Sequence, residues 1–261
     1  MRETPSPDPD LPMLAPCRVI AANAPLQWLA RGWQDLKTAP GPSLTFGALT
    51  VVLSYLISAA AWIWGNLGLY LGLVSGFVFV GPWLAMTLYA ISQRLERGQR
   101  PSLGRSLADV GHSTGGALLF AVLLVVVLLI WARAANTMYI FFPQISDPSW
   151  RDLVTFLGIG SLVGALFCLV IFAASAFSLP MLMDRRVDAV TAVITSVNAV
   201  LRNKPAMAVW AAIIITCVLA GILTAWLAFA VVMPLIGHAT WHAYRETIDA
   251  EQWPRIERRS A

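Results

Sequence analysis

Long, uninterrupted apolar segments constrain this sequence more than any other feature. Six such runs, almost free of charged residues, cover residues 43–64, 67–91, 115–141, 153–183, 206–222 and 224–243. A helix of about 20 apolar residues crosses the roughly 30 Å of bilayer hydrocarbon, and in lipid only helices and closed barrels satisfy every backbone polar group. Barrel strands alternate between apolar and polar residues, which these runs do not. The sequence therefore predicts an all-α, polytopic membrane protein with six transmembrane helices.

The connections between the runs predict that the six helices form three antiparallel hairpins. GNLG joins the first two runs, PQISDPSW joins the third and fourth, and a turn near Gly221 joins the last two. An amphipathic stretch precedes each hairpin, at residues 26–37, 102–110 and 187–202. Such stretches are typical of short juxtamembrane helices in the headgroup plane. The alternative is that they extend the spans into the cytoplasm.

The distribution of basic residues predicts the orientation. Of the 18 Lys and Arg, 16 fall in the N-terminal segment, the loops after the second and fourth spans, and the C-terminal tail, leaving Arg133 and Arg151 near the other side. Short basic loops stay in the cytoplasm, so both termini should be cytoplasmic. The chain then divides into a disordered, proline-rich tail (1–24), a six-helix transmembrane domain (25–246) and a second tail (247–261).

Composition argues against a soluble enzyme. The chain is 58% hydrophobic and 12% charged, and its longest non-membrane stretch, the first 42 residues, is too short and proline-rich for a core of its own. It carries no phosphate-binding loop, no HExxH and no GxSxG. We therefore expect no enzymatic activity and no cofactor. The basic residues are spread evenly over four segments, which favours membrane lipid, and not nucleic acid, as the partner. A partner membrane protein is also possible.

Prolines recur late in the second, fourth and sixth spans, at Pro82, Pro180 and Pro234. A proline inside a helix removes one backbone hydrogen bond and clashes with the preceding turn. We expect each of these helices to bend in its cytoplasmic half. Three bends at one depth would open a vestibule, whereas the plainer interpretation is that the prolines only adjust helix packing.

Two of the three histidines lie in the segment LIGHATWHAYRET, at His238 and His242. This i, i+4 spacing places both on one helix face, where they are a candidate pair for zinc, copper or haem iron. Two ligands on one helix do not complete a metal site. Since Trp241, Tyr244 and Arg245 share the segment, the favoured interpretation is a polar exit from the membrane, with proton or substrate handling as a third possibility.

Aromatic residues mark the same side of the membrane. The predicted interface anchors, which also outline a possible ligand face, are Trp33, Trp83, Tyr89, Trp241 and Tyr244. Arg133 is the one basic residue within an apolar run. An intramembrane charge is a candidate functional residue, but Arg133 lies about 27 Å along its helix and is expected to reach the outer boundary. Asp147 or Asp152 could pair with it.

Several blocks of the sequence resemble an uncharacterised bacterial family of predicted integral membrane proteins, which is classified as a domain of unknown function. The blocks are PLQWLARGWQDLKTAPGPSLTFG, VGPWLAMTLYAISQRLERGQRPSL, SLPMLMDRRVDAVTAVITSV and the most specific one, GHATWHAY. The resemblance extends over residues 18–246. It implies a location in the cytoplasmic membrane of a Gram-negative bacterium, and it carries no activity with it.

Three hypotheses about function follow. The leading one is a non-enzymatic membrane protein that binds a lipid, a small ligand or a partner protein at its cytoplasmic-leaflet face. The second is a small-molecule transporter lined by the three proline-bent helices. The third is a metal- or haem-dependent membrane protein that uses His238 and His242.

Overall fold

A computed structural model describes residues 12–64, 84–111, 114–141 and 149–256. Over these ranges the chain is helical apart from short connections and two isolated β-bridges, so the all-α class is confirmed. The helices are α1 (Ala24–Thr38), α2 (Pro40–Trp64), α3 (residues 84–96), α4 (Leu103–Gly111), α5 (Thr114–Phe141), α6 (Trp150–Ser175), α7 (Ser178–Asp184), α8 (Ala189–Arg202), α9 (Lys204–Leu223) and α10 (Phe229–Thr247).

Three stretches in the described ranges are long and apolar enough to cross a bilayer. They are Pro40–Ala60 in α2, Trp150–Asp184 in α6 and α7, and Lys204–Leu223 in α9. A shorter apolar stretch, Leu118–Ala134, lies in α5. The second predicted span, 67–91, falls mostly outside the described residues. The chain therefore has several candidate membrane helices, and the count of six remains a prediction.

Local sequence signals explain where the helices begin. The hydroxyl of Ser149 accepts a hydrogen bond from the Asp152 amide while the Asp152 carboxylate accepts from the Ser149 amide, which is a capping box at the start of α6. The Asp188 carboxylate accepts from the Thr191 amide at 2.9 Å and caps α8. Burial alone would raise the pKa of Asp188, but the hydrogen bonds from Thr191 and the nearby backbone outweigh it and lower the pKa.

The three predicted proline bends have different outcomes. At Pro180 the helix is interrupted: α6 ends at Ser175, and α7 begins at Ser178, which puts the proline in the first turn of α7. A first-turn residue has no intrahelical partner for its amide, so proline costs nothing there. Pro234 lies inside α10, which continues through it. Pro82 lies outside the described residues.

The helix α10 lies at the centre of the fold, because it packs most extensively against α1 and α2 and also contacts α7 and α9. Glycines on α1 and α2 allow the backbone of each helix to come close to the backbone of α10. A Cβ added at Gly32 of α1 would lie 2.7 Å from the backbone nitrogen of Ala239, and one at Gly47 of α2 would overlap the carbonyl oxygen of Ala230. Pro234 has no amide hydrogen and cannot donate to the Ala230 carbonyl, as a residue four positions later in a helix normally would. The Ala230 carbonyl, which lies against Gly47, therefore lacks its usual helical hydrogen bond.

Both chain ends are part of the packed structure over the described residues. The Arg18 amide donates to the Thr247 carbonyl at 2.8 Å, and the Ile256 amide donates to the Asp184 carbonyl at 3.2 Å. Ala15 and Trp253 are buried in the main hydrophobic cluster. The predicted division therefore needs correction: residues 12–24 are not a disordered tail, and 247–256 are not separate from the helices. Their few apolar residues fill the core that the helices leave open.

Replacing Gly47 by alanine tests the close approach of α2 and α10. The new methyl group would meet backbone that cannot move without shifting α10, so we expect Gly47→Ala to lower the free energy of unfolding by about 1–3 kcal/mol. Gly158→Ala, in the interior of α6, is the control, because a Cβ there meets nothing within 4 Å. Thermal or denaturant unfolding in detergent micelles measures both. Equal stability of the two variants would contradict the packing.

Candidate functional site

Most polar residues of α10 between positions 238 and 246 form side-chain contacts with other helices. Their partners lie on α1, α2, α3 and α7. A helix that carries polar groups on several sides can be buried only if the surrounding helices supply hydrogen-bond partners. This cluster, which we call the α10 polar cluster, contains both histidines that the sequence marks as candidate ligands.

His238 is fully buried between two serines. Its Nε2 lies 2.9 Å from Ser43 Oγ on α2, and its Nδ1 lies 2.8 Å from Ser92 Oγ on α3. Ser43 donates its one hydroxyl proton to the Ala39 carbonyl at 2.7 Å, so it can only accept from the histidine. The neutral imidazole therefore carries its proton on Nε2 and accepts at Nδ1 from Ser92. Both ring nitrogens are in use, and they join three helices.

His242 has a different partner although it lies one turn away on the same helix. Its Nε2–H donates to the Asp35 carboxylate of α1 at 2.8 Å, with both side chains mostly shielded from solvent. The two histidines therefore connect α10 to three neighbours, His238 to α2 and α3 and His242 to α1. Within the part of the chain that the structure describes, no group of three or more His, Cys, Asp or Glu side chains is placed to hold a metal ion.

A buried ion pair lies beside the C-terminal end of α10. Asp184 and Arg185 are adjacent in sequence, nearly inaccessible, and joined at 3.0 Å. The Asp184 carboxylate also accepts from Tyr244 Oη at 3.0 Å and from Gln93 Nε2 at 2.7 Å. Arg185 donates to the Trp253 carbonyl at 2.8 Å, which ties the C-terminal segment to the pair. Such hydrogen bonds offset the desolvation of two buried charges.

Two tryptophans, one on α10 and one on α1, donate hydrogen bonds from their indole N–H groups to carboxylates. Trp241 Nε1 donates to Glu96 of α3 at 3.1 Å, and Trp28 Nε1 donates to Glu246 at 3.3 Å. Arg245 also pairs with Glu96 at 3.3 Å. Burial alone would lower the pKa of Arg245, but the Glu96 and Asp184 carboxylates outweigh it and raise the pKa.

The predicted interface anchors do not all lie at a surface. Trp241 and Tyr244 are each 1% exposed, and Tyr89 of α3 is also buried. These positions differ from the expected headgroup contacts, because the N–H of Trp241 and the hydroxyl of Tyr244 find partners inside the protein. Trp33 is exposed and carries the Lys37 ammonium over its ring at 5.4 Å. Trp83 lies outside the described residues.

Arg133 lies toward the C-terminal end of α5 and is exposed. Its proposed partner Asp152 instead closes the capping box of α6, and Asp147 lies outside the described residues. Arg133 therefore lies at the position along its helix that the sequence predicts. Among the described residues, no hydrogen bond or ion pair links it to the α10 polar cluster.

A second feature is the set of exposed apolar side chains on α1 and α8. Helix α8 buries small and hydroxyl-bearing residues and turns its large apolar ones outward, namely Val190, Ile194 and Leu201. Helix α1 likewise exposes Leu26 and Trp33. Trp28 of α1 packs edge-on against Trp210 of α9 with ring centroids 5.6 Å apart. Helix α1 contacts α9, which directly follows α8, and we call the exposed apolar side chains of α1 and α8 together the α1–α8 face.

The partners of the polar cluster are residues that sequence reasoning did not single out. Ser43, Ser92 and Gln93 look like ordinary polar residues at the ends of apolar runs. The one available signal was the number of polar groups on α10 itself, since a helix with that many cannot be buried without matching partners elsewhere.

Residues 69–184 match a family described as "Predicted integral membrane protein (DUF2189)". This match confirms the resemblance inferred from the sequence, over less than half of the chain. It is shorter than the expected 18–246, and it includes neither α1 nor the GHATWHAY block of α10. No curated protein and no solved structure matches the chain. Together with the candidate spans, the match supports an integral membrane protein, and the family description names no activity.

Removing the Ser43 hydroxyl tests the role of His238. In Ser43→Ala the Nε2–H of the buried ring loses its acceptor, which should lower the free energy of unfolding by about 1–3 kcal/mol. Thr45→Val, two residues along α2, removes an exposed hydroxyl that bonds only to the Gly41 carbonyl, and should change it by less than about 0.5 kcal/mol. Denaturant unfolding compares them. A loss no larger in Ser43→Ala than in Thr45→Val would show that His238 does not depend on this contact.

Proposed function

We propose that the protein is a non-enzymatic, multi-pass protein of the bacterial cytoplasmic membrane that binds membrane lipid at its α1–α8 face. The observation that carries the proposal is the orientation of α8. It buries Ala192, Thr195 and Ser196 and presents Ile194 and Leu201 outward. Large apolar side chains on an outer face are favoured where lipid or another protein covers them.

The depth of this face favours lipid. Lys204 begins the 20-residue candidate span of α9, whose length of about 30 Å matches the hydrocarbon thickness. The end of α8 therefore lies at a membrane boundary. The contact between Trp28 and Trp210 brings α1 to the same boundary. Exposed apolar side chains at headgroup depth, next to basic residues, are typical of helices that lie in the interface.

The charge distribution supports a cytoplasmic position for this face and for both termini. Arg31 and Lys37 lie on α1, and Arg202 and Lys204 lie at the junction of α8 and α9. Basic residues next to short spans are retained in the cytoplasm. They also attract the anionic lipids of the inner leaflet.

The alternatives receive less support. A metal at His238 would have to displace Ser43 or Ser92, and one at His242 would have to displace the Asp35 contact. Pro180 and Pro234 are both buried against protein, whereas a transport path lined by the bent helices needs open space beside them. A small soluble ligand or a partner protein at the α1–α8 face remains an outcome that the following experiment can distinguish.

A photoactivatable phospholipid incorporated into native membranes tests the lipid-binding face. We expect crosslinks on tryptic peptides that contain Leu26, Trp33, Ile194 and Leu201, because these side chains face outward at the boundary. Crosslinks confined to the apolar stretches of α2, α6 and α9 would contradict the proposal. Co-purification of a protein that protects the α1 and α8 peptides from crosslinking would favour a partner protein instead.

The orientation has a separate test in reporter fusions. The turn between α9 and α10, residues 224–228, should give an active periplasmic phosphatase reporter, because it lies at the opposite end of α9 from Lys204. A fluorescent reporter that folds only in the cytoplasm should be active when fused after Ala261. The reverse pattern would place the α1–α8 face in the periplasm and remove the argument from inner-leaflet charge.

A further inference from the structure

We propose that the corner between α8 and α9 binds the headgroup of an anionic phospholipid. The corner consists of Leu201, Arg202, Asn203 and Lys204, with Val19 of the N-terminal segment beside it. This inference rests on the proposed function, since it assigns the chemical class of lipid and a specific place on the α1–α8 face.

A buried asparagine fixes the shape of the corner. Asn203 is 2% exposed. Its Nδ2 donates to the Ala199 carbonyl at 3.0 Å and to the Arg18 carbonyl at 3.1 Å, while its Oδ1 accepts from the Ile20 amide at 2.9 Å. These bonds hold the N-terminal segment against the end of α8. The neighbours of Asn203 in sequence, Arg202 and Lys204, both remain exposed.

The charges at the corner differ from several other cations of the protein. Three other basic residues are paired: Arg31 with Glu246, Arg245 with Glu96, and Arg18 with Asp249 at 3.4 Å. In the described ranges, neither Arg202 nor Lys204 forms an ion pair. Two adjacent, unneutralised cations are complementary to a phosphate that carries net negative charge. A zwitterionic headgroup carries its own cation, which lessens this attraction.

Exposed apolar side chains at the corner favour a lipid as its ligand. Val19 is 76% exposed and Leu201 is 57% exposed. Leu201 precedes Arg202 in the chain, and Val19 lies between the two residues whose backbone bonds to Asn203. Lys204 is also the first residue of the candidate span, which places the pair at the depth of the headgroup phosphates. A surface with two cations and two apolar side chains at this depth fits a headgroup and the upper part of its acyl chains. A free phosphate would use only the cations.

The double variant Arg202→Gln, Lys204→Gln tests the site in the full-length protein. Wild type and variant are reconstituted in nanodiscs that contain phosphatidylglycerol diluted in phosphatidylcholine, and bound lipid is counted by native mass spectrometry after release. We expect the variant to bind phosphatidylglycerol about twenty-fivefold more weakly, from about fivefold for each charge. Arg97→Gln, Arg100→Gln is the matched control, because it removes two exposed charges from a loop whose residues 97–102 include no large apolar side chain, and it should retain wild-type binding.

The outcomes separate the failure of this site from the failure of the proposed function. If wild type retains no lipid beyond bulk, both fail. If wild type retains phosphatidylglycerol and the corner variant retains it equally, only the corner is excluded. Equal losses in the two double variants would indicate diffuse electrostatic attraction and would also overturn the site.

Two further measurements test whether the ligand is a lipid and whether its acyl chains contribute to binding. Inorganic phosphate added to the detergent-purified protein should raise its melting temperature less than phosphatidylglycerol does, and an equal rise would overturn the assignment to lipid. Leu201→Ser, which keeps both charges, should weaken binding of phosphatidylglycerol without affecting any response to phosphate. Unchanged binding in Leu201→Ser would argue against the acyl contact. Matching melting temperatures in neutral lipid would confirm that the variants fold.

Discussion

The structure depends on hydrogen bonds from neighbouring helices to the polar side chains of α10, because that helix is buried. In a low-dielectric interior, a histidine, an indole N–H or a phenol without a hydrogen-bond partner costs about 1–3 kcal/mol. The helix carries several of these groups on different sides, and its neighbours α1, α2, α3 and α7 each supply a partner. Glycines at positions 32 and 47 bring α1 and α2 close to α10. Close backbone packing and short polar side chains such as Ser43 therefore act together.

The sequence predicts the fold class well, because apolar run length and capping chemistry are local properties. Helix α2 follows from its apolar run, and the break near Pro180 follows from proline's missing amide. Ser149 and Asp152 form a local capping pattern at the start of α6, although Asp152 was a candidate partner of Arg133. The candidate site is less predictable. The partners of His238 are 195 and 146 positions away in the sequence, and nothing local indicates which serine faces which ring nitrogen. The burial of Trp241 and Tyr244 escaped prediction for the same reason, since their carboxylate partners lie on α3 and α7.

The outward face of α8 shows why amphipathicity in a membrane protein does not by itself identify the buried side. In a soluble protein the stripe of Val190, Ile194 and Leu201 would face the core. Here the core side holds Ala192, Thr195, Ser196 and Ala199, because small residues allow close helix contact and hydroxyls serve buried backbone groups. Ser196, for example, donates to the Ala173 carbonyl at 2.7 Å and accepts from the Phe177 amide at the break between α6 and α7. The apolar stripe is left for the surroundings.

The same reasoning separates polar groups that build the protein from those that are available to a ligand. His238 and His242 are the candidate metal ligands and Asp184 is a buried carboxylate, but each is engaged by side chains of other helices. Binding there would first break contacts that hold α10 in place. The cations at Arg202 and Lys204 carry no such cost, since a buried Asn203 holds the corner without them. Their charge can change partners with little effect on the packing, so we place ligand recognition at the edge of the fold and not at its histidines.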